Sequence, residues 1–432
     1  MGAIGTIVIL AAGQGTRMKS ERPKVLHSIC GRPLLAYVID QALSLNPDRV
    51  VVVVGKGADA VQDAVKADFP SEPILFEVQE QQLGTGHAVL CALPSVLPGP
   101  SLILYGDMPL LRPESLQALL DLREVNDASG AILTVNAQNP RGFGRIIRKG
   151  GVEGPLERIV EEKDATAEQR AISEVNVGVY AFAEGVLEEY LPSLSKENAQ
   201  GEYYLTDVGA ALVNAGRPVL PLQLENEEET IGINTLAQLS EARAGLQERI
   251  LLDHMVNGVY IEDPATTYID FGVEIGVGTQ IFPCSVLRRG AKVGRDCEVG
   301  PFSHLRTGTV LADGSHVGNF TETKNASLGE KTKAKHLSYL GDVEIGSKVN
   351  IGAGTIVANY DGKLKHKTKI GDRAFIGSGS VLIAPTVVGE GALTGGGAVV
   401  TRGSEIPAED VWVGVPARSL NRKSDGSPTN RP

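Results

Sequence analysis

Lys292-Val-Gly-Arg-Asp-Cys-Glu-Val-Gly-Pro-Phe-Ser-His-Leu-Arg-Thr-Gly-Thr-Val-Leu-Ala-Asp-Gly-Ser-His-Val-Gly318 carries an aliphatic residue at every sixth position: Val293, Val299, Leu305, Leu311 and Val317. The beat continues through Leu328, Ala334 and Leu340, through Ile345, Ile351 and Val357, and through Ile370, Ile376, Leu382 and Val388. Glycine often follows at once, as at Gly294, Gly300, Gly318, Gly346, Gly352, Gly371, Gly377 and Gly389. Helices repeat at 3.6 residues and strands at 2, so neither sustains a period of six. A parallel β-helix does, each short strand sending one aliphatic side chain into a narrow core. The adjoining glycine is expected to turn the corner with positive φ. Departures from the period mark loops on one face. The largest, Ala358-Asn-Tyr-Asp-Gly-Lys-Leu-Lys-His-Lys-Thr-Lys369, is polar and basic, and suits contact with a ligand or a neighbouring chain.

Upstream the pattern is different. From residue 4 to about 230, β-branched runs alternate with helical spacing: strands are expected at Ile4–Leu10, Val50–Val54, Ile74–Val78, Ser101–Tyr105 and Ala131–Val135. Leu34, Leu35, Val38, Ile39 and Ala42 fall on one helical face between the first two. Near-continuous apolar strands separated by helices imply a mostly parallel sheet covered on both faces. Extended stretches at Gly144–Ile147 and Asn176–Phe182 suggest an inserted antiparallel part. Leu236, Leu239, Leu246 and Ile250 then mark a connecting helix. The reading is an α/β domain over 1–234, a linker helix over 235–257, a β-helical domain over 258–420 and a disordered polar tail over 421–432.

At 432 residues, two domains are the expectation. A formal charge of −11 speaks against a nucleic-acid coat or a membrane-surface role, so anionic ligands must be met by local cations. Four cysteines (Cys30, Cys91, Cys284, Cys297) without C-x-x-C spacing suggest neither a zinc knuckle nor a disulfide framework. The apolar run Ile7–Ala12 lacks a basic flank and is short for a signal peptide or a span, which points to a cytoplasmic chain with no membrane partner. The Asn-x-Ser/Thr matches at Asn319 and Asn325 are then without consequence.

The first strand runs into Leu10-Ala-Ala-Gly-Gln-Gly-Thr-Arg-Met18, followed by Arg22-Pro-Lys-Val-Leu-His27. Glycines directly after a buried strand let backbone N–H groups approach phosphates and a base. Position 18 is Met where a dinucleotide fingerprint wants a third glycine, and Arg17 and Lys24 supply cations suited to a triphosphate. The competing reading is a tight strand–helix turn with solvated charges. Leu83-Gly-Thr-Gly-His-Ala88 again puts glycines ahead of a helix, and Tyr105-Gly-Asp-Met-Pro109 ends a strand on a carboxylate. Asp107 is either a Mg²⁺ ligand or a cap for a helix beginning near Pro113.

These motifs, with Gln82-Leu-Gly-Thr-Gly-His-Ala88 and Asn198-Ala-Gln-Gly-Glu-Tyr-Tyr-Leu-Thr-Asp207, resemble the nucleoside-diphosphate-sugar pyrophosphorylases. Within them they are most similar to the bifunctional enzymes that make UDP-N-acetylglucosamine. The resemblance covers nearly the whole chain. It implies UTP and N-acetylglucosamine 1-phosphate as substrates, with UDP-sugar and pyrophosphate as products. It places the uracil end on Leu10, Ala11, Ala12, Gly13, Gln79, Gly84 and Thr85, and includes Tyr105 and Gly106 in the nucleotide site. Arg17 and Lys24 stabilise phosphates, Gly144, Glu161 and Asn176 hold the sugar, and Asp107 and Asn234 bind Mg²⁺.

In the β-helix, His336 stands among Arg306, Lys324, Tyr339, Asn350, Asn359 and Tyr360. An amine attacking a thioester must be neutral, and imidazole is suited to taking its proton near pH 7. Val317-Gly-Asn-Phe-x-Glu-x-Lys324, His336-Leu-x-Tyr-Leu-Gly-Asp342 and Asn350-Ile-Gly-Ala-Gly-Thr-Ile356 resemble the acetyltransferase half of the same family. The resemblance implies acetyl-CoA and glucosamine 1-phosphate as substrates and His336 as general base, oriented or charged by Glu322. Arg306, Lys324, Tyr339 and Asn350 hold the acceptor; Ala353, Asn359, Tyr360, Ser378, Gly396 and Arg418 face acetyl-CoA. It further implies left-handed coils, against the usual right-handed crossover, and a homotrimer with the acetyl site between subunits. The sequence departs from the family pattern in three places. Coils over about 272–300 read as short, Gly396 replaces a small alanine, and Gly414-Val-Pro416 lacks a preceding arginine; either Arg418 takes its place or acetyl-CoA is held more weakly. Two other readings stay open: a single-activity sugar nucleotidyltransferase whose β-helix only assembles subunits, and a non-catalytic homologue.

Overall fold

The computed structural model describes residues 4–151 and 154–420, so the expectation for the tail lies outside the described residues. It divides into two compact units, Met1–Gly245 and Leu246–Pro432.

The first unit is built on strands β1 (Thr6–Ala11), β2 (Arg49–Val54), β3 (Ile74–Val78), β4 (Ser101–Tyr105), β5 (Gly130–Asn136), β6 (Arg145–Arg148), β7 (Leu156–Val160), β8 (Glu174–Phe182) and β9 (Val219–Leu224). Their order is β9-β5-β8-β4-β1-β2-β3, with the β6/β7 hairpin attached to β8. β4, β1, β2 and β3 are mutually parallel, and β8 is antiparallel to both β4 and β5. The inserted antiparallel part is thus β6, β7 and β8. Side-chain alternation explains the continuous apolar runs. Ile7, Ile9, Val50, Val52, Leu102 and Leu104 pack on one face with Leu35, Val38 and Ile39 of α1 (Leu34–Ser44). Val8, Leu10, Val51, Val53 and Ile103 pack on the other with Val89 of α3 (Thr85–Ala92) and Val208 and Leu212 of α5 (Thr206–Asn214). Here α2 is Ala58–Asp68 and α4 Pro113–Val125. Chain order reverses between β1 and β4, and the carboxyl ends of those strands open the crevice where such sheets bind ligands.

Helix α6 (Leu236–Val256) forms where a connecting helix is expected, but its buried stripe differs. Ala242, Leu246, Gln247 and Leu251 are buried, whereas Leu236 is 57% exposed. In the second unit Leu251, with Ile250 and Met255 against it, covers the start of the β-helix core.

The second unit is a left-handed parallel β-helix with three aliphatic columns. One runs Ile261, Ile281, Val299, Val317, Ala334, Ile351 and Ile376. Another runs Ile275, Val293, Leu311, Leu328, Ile345, Ile370, Val388 and Ile406. The third holds Ile269, Leu287, Leu305, Thr323, Leu340, Val357, Leu382 and Val400. Thr323, the one polar member of the third, shares a hydrogen bond of 2.9 Å with Thr309. Coils over 272–300 are not short: Ile275 pairs with Val293 and Ile281 with Val299, the same eighteen-residue rise as Val299 to Val317. The 358–369 loop leaves the coil, so Ile351 pairs with Ile376 rather than with a residue eighteen further on.

The glycines beside the aliphatic positions serve a different purpose from the one expected. Of those named, Gly300 alone has positive φ. A Cβ at Gly318 would stand 2.3 Å from the Lys335 carbonyl oxygen, and one at Gly352 2.4 Å from the Ser378 nitrogen. They are glycine because the next coil leaves no room. Corners are turned by other residues, including the non-glycines Asp296, Phe302, Phe320 and Leu337. Leu340 is fully buried in this narrow core, so Leu340→Ala is expected to destabilise the second unit by about 2–5 kcal/mol, read as a lowered denaturant midpoint.

Candidate functional site

In the first unit, β1 ends at Ala11 and the chain passes through Ala12, Gly13, Gln14 and Gly15. Gly15 takes φ +60°, and a Cβ there would stand 2.7 Å from Cβ of Lys24, so the glycine lets Lys24 lie over the loop. Lys24 Nζ donates to the Asp107 carboxylate and, at 3.1 Å, to Oδ1 of Asn234. Arg17 donates to the same Oδ1 at 2.8 Å. The Ile233 N–H bonds the Asp107 carbonyl at 3.0 Å, tying the loops that carry Asp107 and Asn234 together. Asp107 does not cap α4, whose first-turn Ser115 hydroxyl and Arg112 N–H are held by Glu229.

These groups open into one cleft of about 400 Å³. Leu10, Ala11, Ala12, Gly13, Lys24, Gln79, Gly84, Thr85, Tyr105, Asp107, Gly144, Glu161, Asn176 and Asn234 all line it. Arg17 and Gly106 do not; Arg17 meets it through Asn234, and Gly106 bonds the Leu10 carbonyl at 2.9 Å, holding β4 against β1. Sequence reading missed Gln82, which donates to the Ala12 carbonyl, and Phe143, Val177 and Gly178 in the wall. Gly178 stands at φ +90° where a Cβ would be 2.6 Å from the Tyr105 ring; an isolated glycine in a strand was its only signal.

In the same cleft Glu161 accepts from the Thr206 hydroxyl at 3.1 Å. Burial raises its pKa, and Asp207, Asp164 and Glu202 push the same way. Asn176 donates to the Tyr180 hydroxyl at 2.6 Å and accepts from the Gly178 N–H at 3.1 Å, which fixes its amide. Burial likewise raises the Tyr105 hydroxyl, keeping it a donor. Because the folded state raises the Glu161 pKa, ionisation costs stability as pH rises through that raised value. Glu161→Gln is therefore expected to raise the first unit's melting midpoint at pH 7 and to leave it unchanged well below the carboxylate range. Melting curves at the two pH values check it.

The donor set suits a hard divalent cation: a carboxylate and an amide oxygen, already bridged by one ammonium. Among the described residues no group of three or more His, Cys, Asp or Glu could hold a metal, so further oxygens must come from phosphates and water.

In the second unit, Arg306 donates to Glu322 at 2.7 Å. Glu322 lies between His304 and Tyr339 in the ladder, and among the described residues no hydrogen bond joins its carboxylate to His336. Lys324 pairs across to Gly341, where a Cβ would be 2.6 Å from the Tyr339 hydroxyl and 2.8 Å from Nδ2 of Asn359. That missing side chain lets Lys324, Tyr339 and Asn359 converge. The Lys365 ammonium, and after it Arg306, hold the exposed Lys324 below the usual lysine range. Lys365, from the basic loop, joins the cluster; sequence reading marked the loop but not this residue. Asn359 also donates to Asp342, and the Tyr360 hydroxyl to the Gly362 carbonyl at 2.6 Å.

His336 and Asn350 belong to the neighbouring sheet face. His336 lines a cleft of about 220 Å³ with Phe282, Glu298, His316, Asn319 and Lys335. His316 is paired to Glu298 at 2.5 Å, whereas among the described residues no hydrogen bond reaches the His336 ring. Ala353, Ser378 and Gly396 form one column on successive coils, since Gly379 N–H bonds the Ala353 carbonyl at 2.7 Å and Gly397 N–H the Ser378 carbonyl at 2.8 Å. Arg418 sits opposite Val413 in the closing hairpin, and Val413 packs on Gly395.

The fold and its two sites define a two-part transferase, a nucleotidyl-transferring α/β unit followed by a hexapeptide-repeat unit. The MobA-like NTP transferase domain family matches residues 7–187, and the bacterial transferase hexapeptide family matches 367–402. Relatives named bifunctional protein GlmU are 46% identical in Alkalilimnicola ehrlichii (99% of this chain, 97% of the relative) and 42% in Shouchella clausii (96% and 97%). The Bacillus subtilis relative is 40% identical over 96% of each chain. A UDP-glucose pyrophosphorylase structure in complex with UDP-glucose is similar at 17% identity and TM-score 0.48, over 57% of this chain and 99% of that one. The chain belongs to the family of bifunctional GlmU proteins. It is an enzyme with two activities, glucosamine-1-phosphate N-acetyltransferase and UDP-N-acetylglucosamine pyrophosphorylase, and it requires a divalent metal. No helix among the described residues is long and apolar enough to cross a membrane.

Proposed function

We propose that the 400 Å³ cleft is the uridylyl-transfer site and that the face carrying Arg306, Lys324 and Tyr339, with the adjoining His336, is the acetyl-transfer site. The observation that carries this is the Lys24 ammonium bridging Asp107 and Asn234 at a cleft whose glycines follow β1. Arg17 and Lys24 hold the triphosphate while a phosphate oxygen of N-acetylglucosamine 1-phosphate attacks the α-phosphorus and the bond to pyrophosphate breaks. The chain positions the reactants and supplies positive charge. Asp107 and Asn234 would hold Mg²⁺, which when bound neutralises charge on the reacting phosphates. Gln79, Gly84 and Thr85 face the uracil, and Gly144, Glu161 and Asn176 the sugar.

In the second reaction, Arg306, Lys324 and Lys365 hold the 1-phosphate of glucosamine 1-phosphate. The His336 ring, which no hydrogen bond reaches among the described residues, takes a proton from the amine as its nitrogen attacks the acetyl carbon and the thiolate of CoA leaves. Ala353, Ser378 and Gly396 line the path of acetyl-CoA, with Asn359 and Tyr360 near the acetyl group and Arg418 toward the nucleotide end. The chain assembles as a homotrimer. Phe302, Phe320 and Leu337, 51%, 58% and 60% exposed on successive coils beside His336, support a covering second copy, as does the stacking of Phe302 on Phe320 at 5.2 Å. Four free cysteines support a reducing, cytoplasmic location. The working division is 1–234 for uridylyl transfer, 235–257 for the connecting helix and 258–420 for acetyl transfer.

The test is incubation of the full chain with glucosamine 1-phosphate, acetyl-CoA, UTP and Mg²⁺, with products read by mass. UDP-N-acetylglucosamine, CoA and pyrophosphate are expected. UDP-glucosamine without free CoA would leave only the single-activity reading.

A further inference from the structure

Gln79 directly follows β3, and its buried side chain lines the nucleotide cleft. Its Nε2 lies 3.0 Å from the Gly84 carbonyl oxygen and 3.0 Å from Nδ1 of His87. A carbonyl can only accept, so the atom facing Gly84 is the NH₂ group and the amide orientation is settled. Its second hydrogen goes to His87 Nδ1, which must then be the unprotonated nitrogen of the ring. Both hydrogens are spent. The remaining polar atom is Oε1, which no hydrogen bond reaches among the described residues.

His87 sits on α3 and is held in place by its neighbours. Its ring stacks on Tyr203, with centroids 6.2 Å apart and planes 21° off parallel. Tyr203 in turn bonds the Leu83 carbonyl and the Gly86 N–H, each at 2.8 Å. A Cβ at Gly84 would strike the Tyr203 carbonyl at 2.5 Å, so the acceptor at Gly84 is fixed as well. The Cys91 thiol is farther away, 3.9 Å from Nδ1.

We propose that His87 is a positioning residue that sets base selection. By occupying the second amide hydrogen of Gln79 it leaves the cleft a carbonyl oxygen and no donor at that point. A carbonyl oxygen accepts the N3–H of uracil and repels the N3 lone pair of cytosine. With Gly84 as the sole acceptor, the amide swings about that one bond and can turn a hydrogen to the cleft, which suits cytosine. The inference rests on the reading that Gln79 faces the base.

The test compares kcat/KM for UTP and CTP, with N-acetylglucosamine 1-phosphate and Mg²⁺, in the full chain. His87→Phe keeps a ring against Tyr203 and loses the acceptor. It is expected to cut the UTP-to-CTP ratio by about tenfold or more, mainly through KM for UTP. His87→Asn loses the ring but keeps an acceptor at the δ1 position, and is expected to stay near the parent ratio. A purely structural ring predicts the reverse order, and that order would overturn the proposal, as would equal loss on both nucleotides. Gln79→Leu separates the two readings. If it leaves the ratio unchanged, the base contact itself is wrong and the proposal falls with it. If it collapses the ratio while His87→Phe does not, only the role of His87 falls. Melting curves of the same preparations report whether the first unit is folded in each variant.

Discussion

Lys24→Ala is expected to slow uridylyl transfer by about 10²–10³-fold in kcat while acetyl transfer proceeds at the parent rate. Lys24 is the cation that meets both Asp107 and Asn234, and its side chain is only 12% exposed, so solvent screens it little. Charge developing on the departing pyrophosphate is then stabilised by Arg17 alone among these cations. Arg17 approaches through Asn234 rather than from the cleft wall. Lys24→Arg, which keeps the charge but changes its shape, should fall between the two. Steady-state pyrophosphate release measures the first reaction, and thiol release from acetyl-CoA measures the second. Equal loss in both assays would mean that Lys24 supports the fold of the whole chain rather than one reaction.

His336→Ala has the opposite signature. Acetyl transfer should fall by about 10²–10⁴-fold, the usual contribution of a positioned general base, with uridylyl transfer unchanged. The histidines of the second unit are not equivalent. His316 is bound to Glu298, and burial with the nearby Arg288 lowers the pKa of His304. His336 alone combines an exposed ring without a partner among the described residues and a place beside the corner shared with Tyr339. If the alanine variant retains more than about a tenth of the parent acetyl-transfer rate, the base lies elsewhere.

Much of this site was readable in the chain because phosphate chemistry demands glycine and cation at fixed distances from a strand end. Leu10–Gly13 and Asp107 stand at such ends, and Lys24 follows the first of them by a short loop, so folding brings them together into one cleft. Gln82 was not legible as a site residue because it acts through a contact far away in sequence, on Ala12, and Gly178 showed only as an isolated glycine in a strand because its reason, the Tyr105 ring, lies on another strand. The period of six similarly announced the coil but misassigned its glycines. Period alone does not distinguish a residue lacking Cβ for turning from one lacking Cβ because Lys335 or Ser378 stacks above it. Leu236 shows the same limit in helix α6: spacing gave a face, but burial depends on what packs there, and the stripe moved to Ala242, Leu246 and Leu251. The family resemblance pairs Glu322 with His336, whereas the hydrogen bond its carboxylate makes in this chain is to Arg306.

Two chemically separate sites act in sequence in this chain, the product of one serving as substrate of the other. Mixing the Lys24→Ala and His336→Ala chains with glucosamine 1-phosphate, acetyl-CoA, UTP and Mg²⁺ tests it most directly. UDP-N-acetylglucosamine should form in the mixture at a rate well above the sum of the two variants assayed alone. A mixture no faster than that sum would contradict the account.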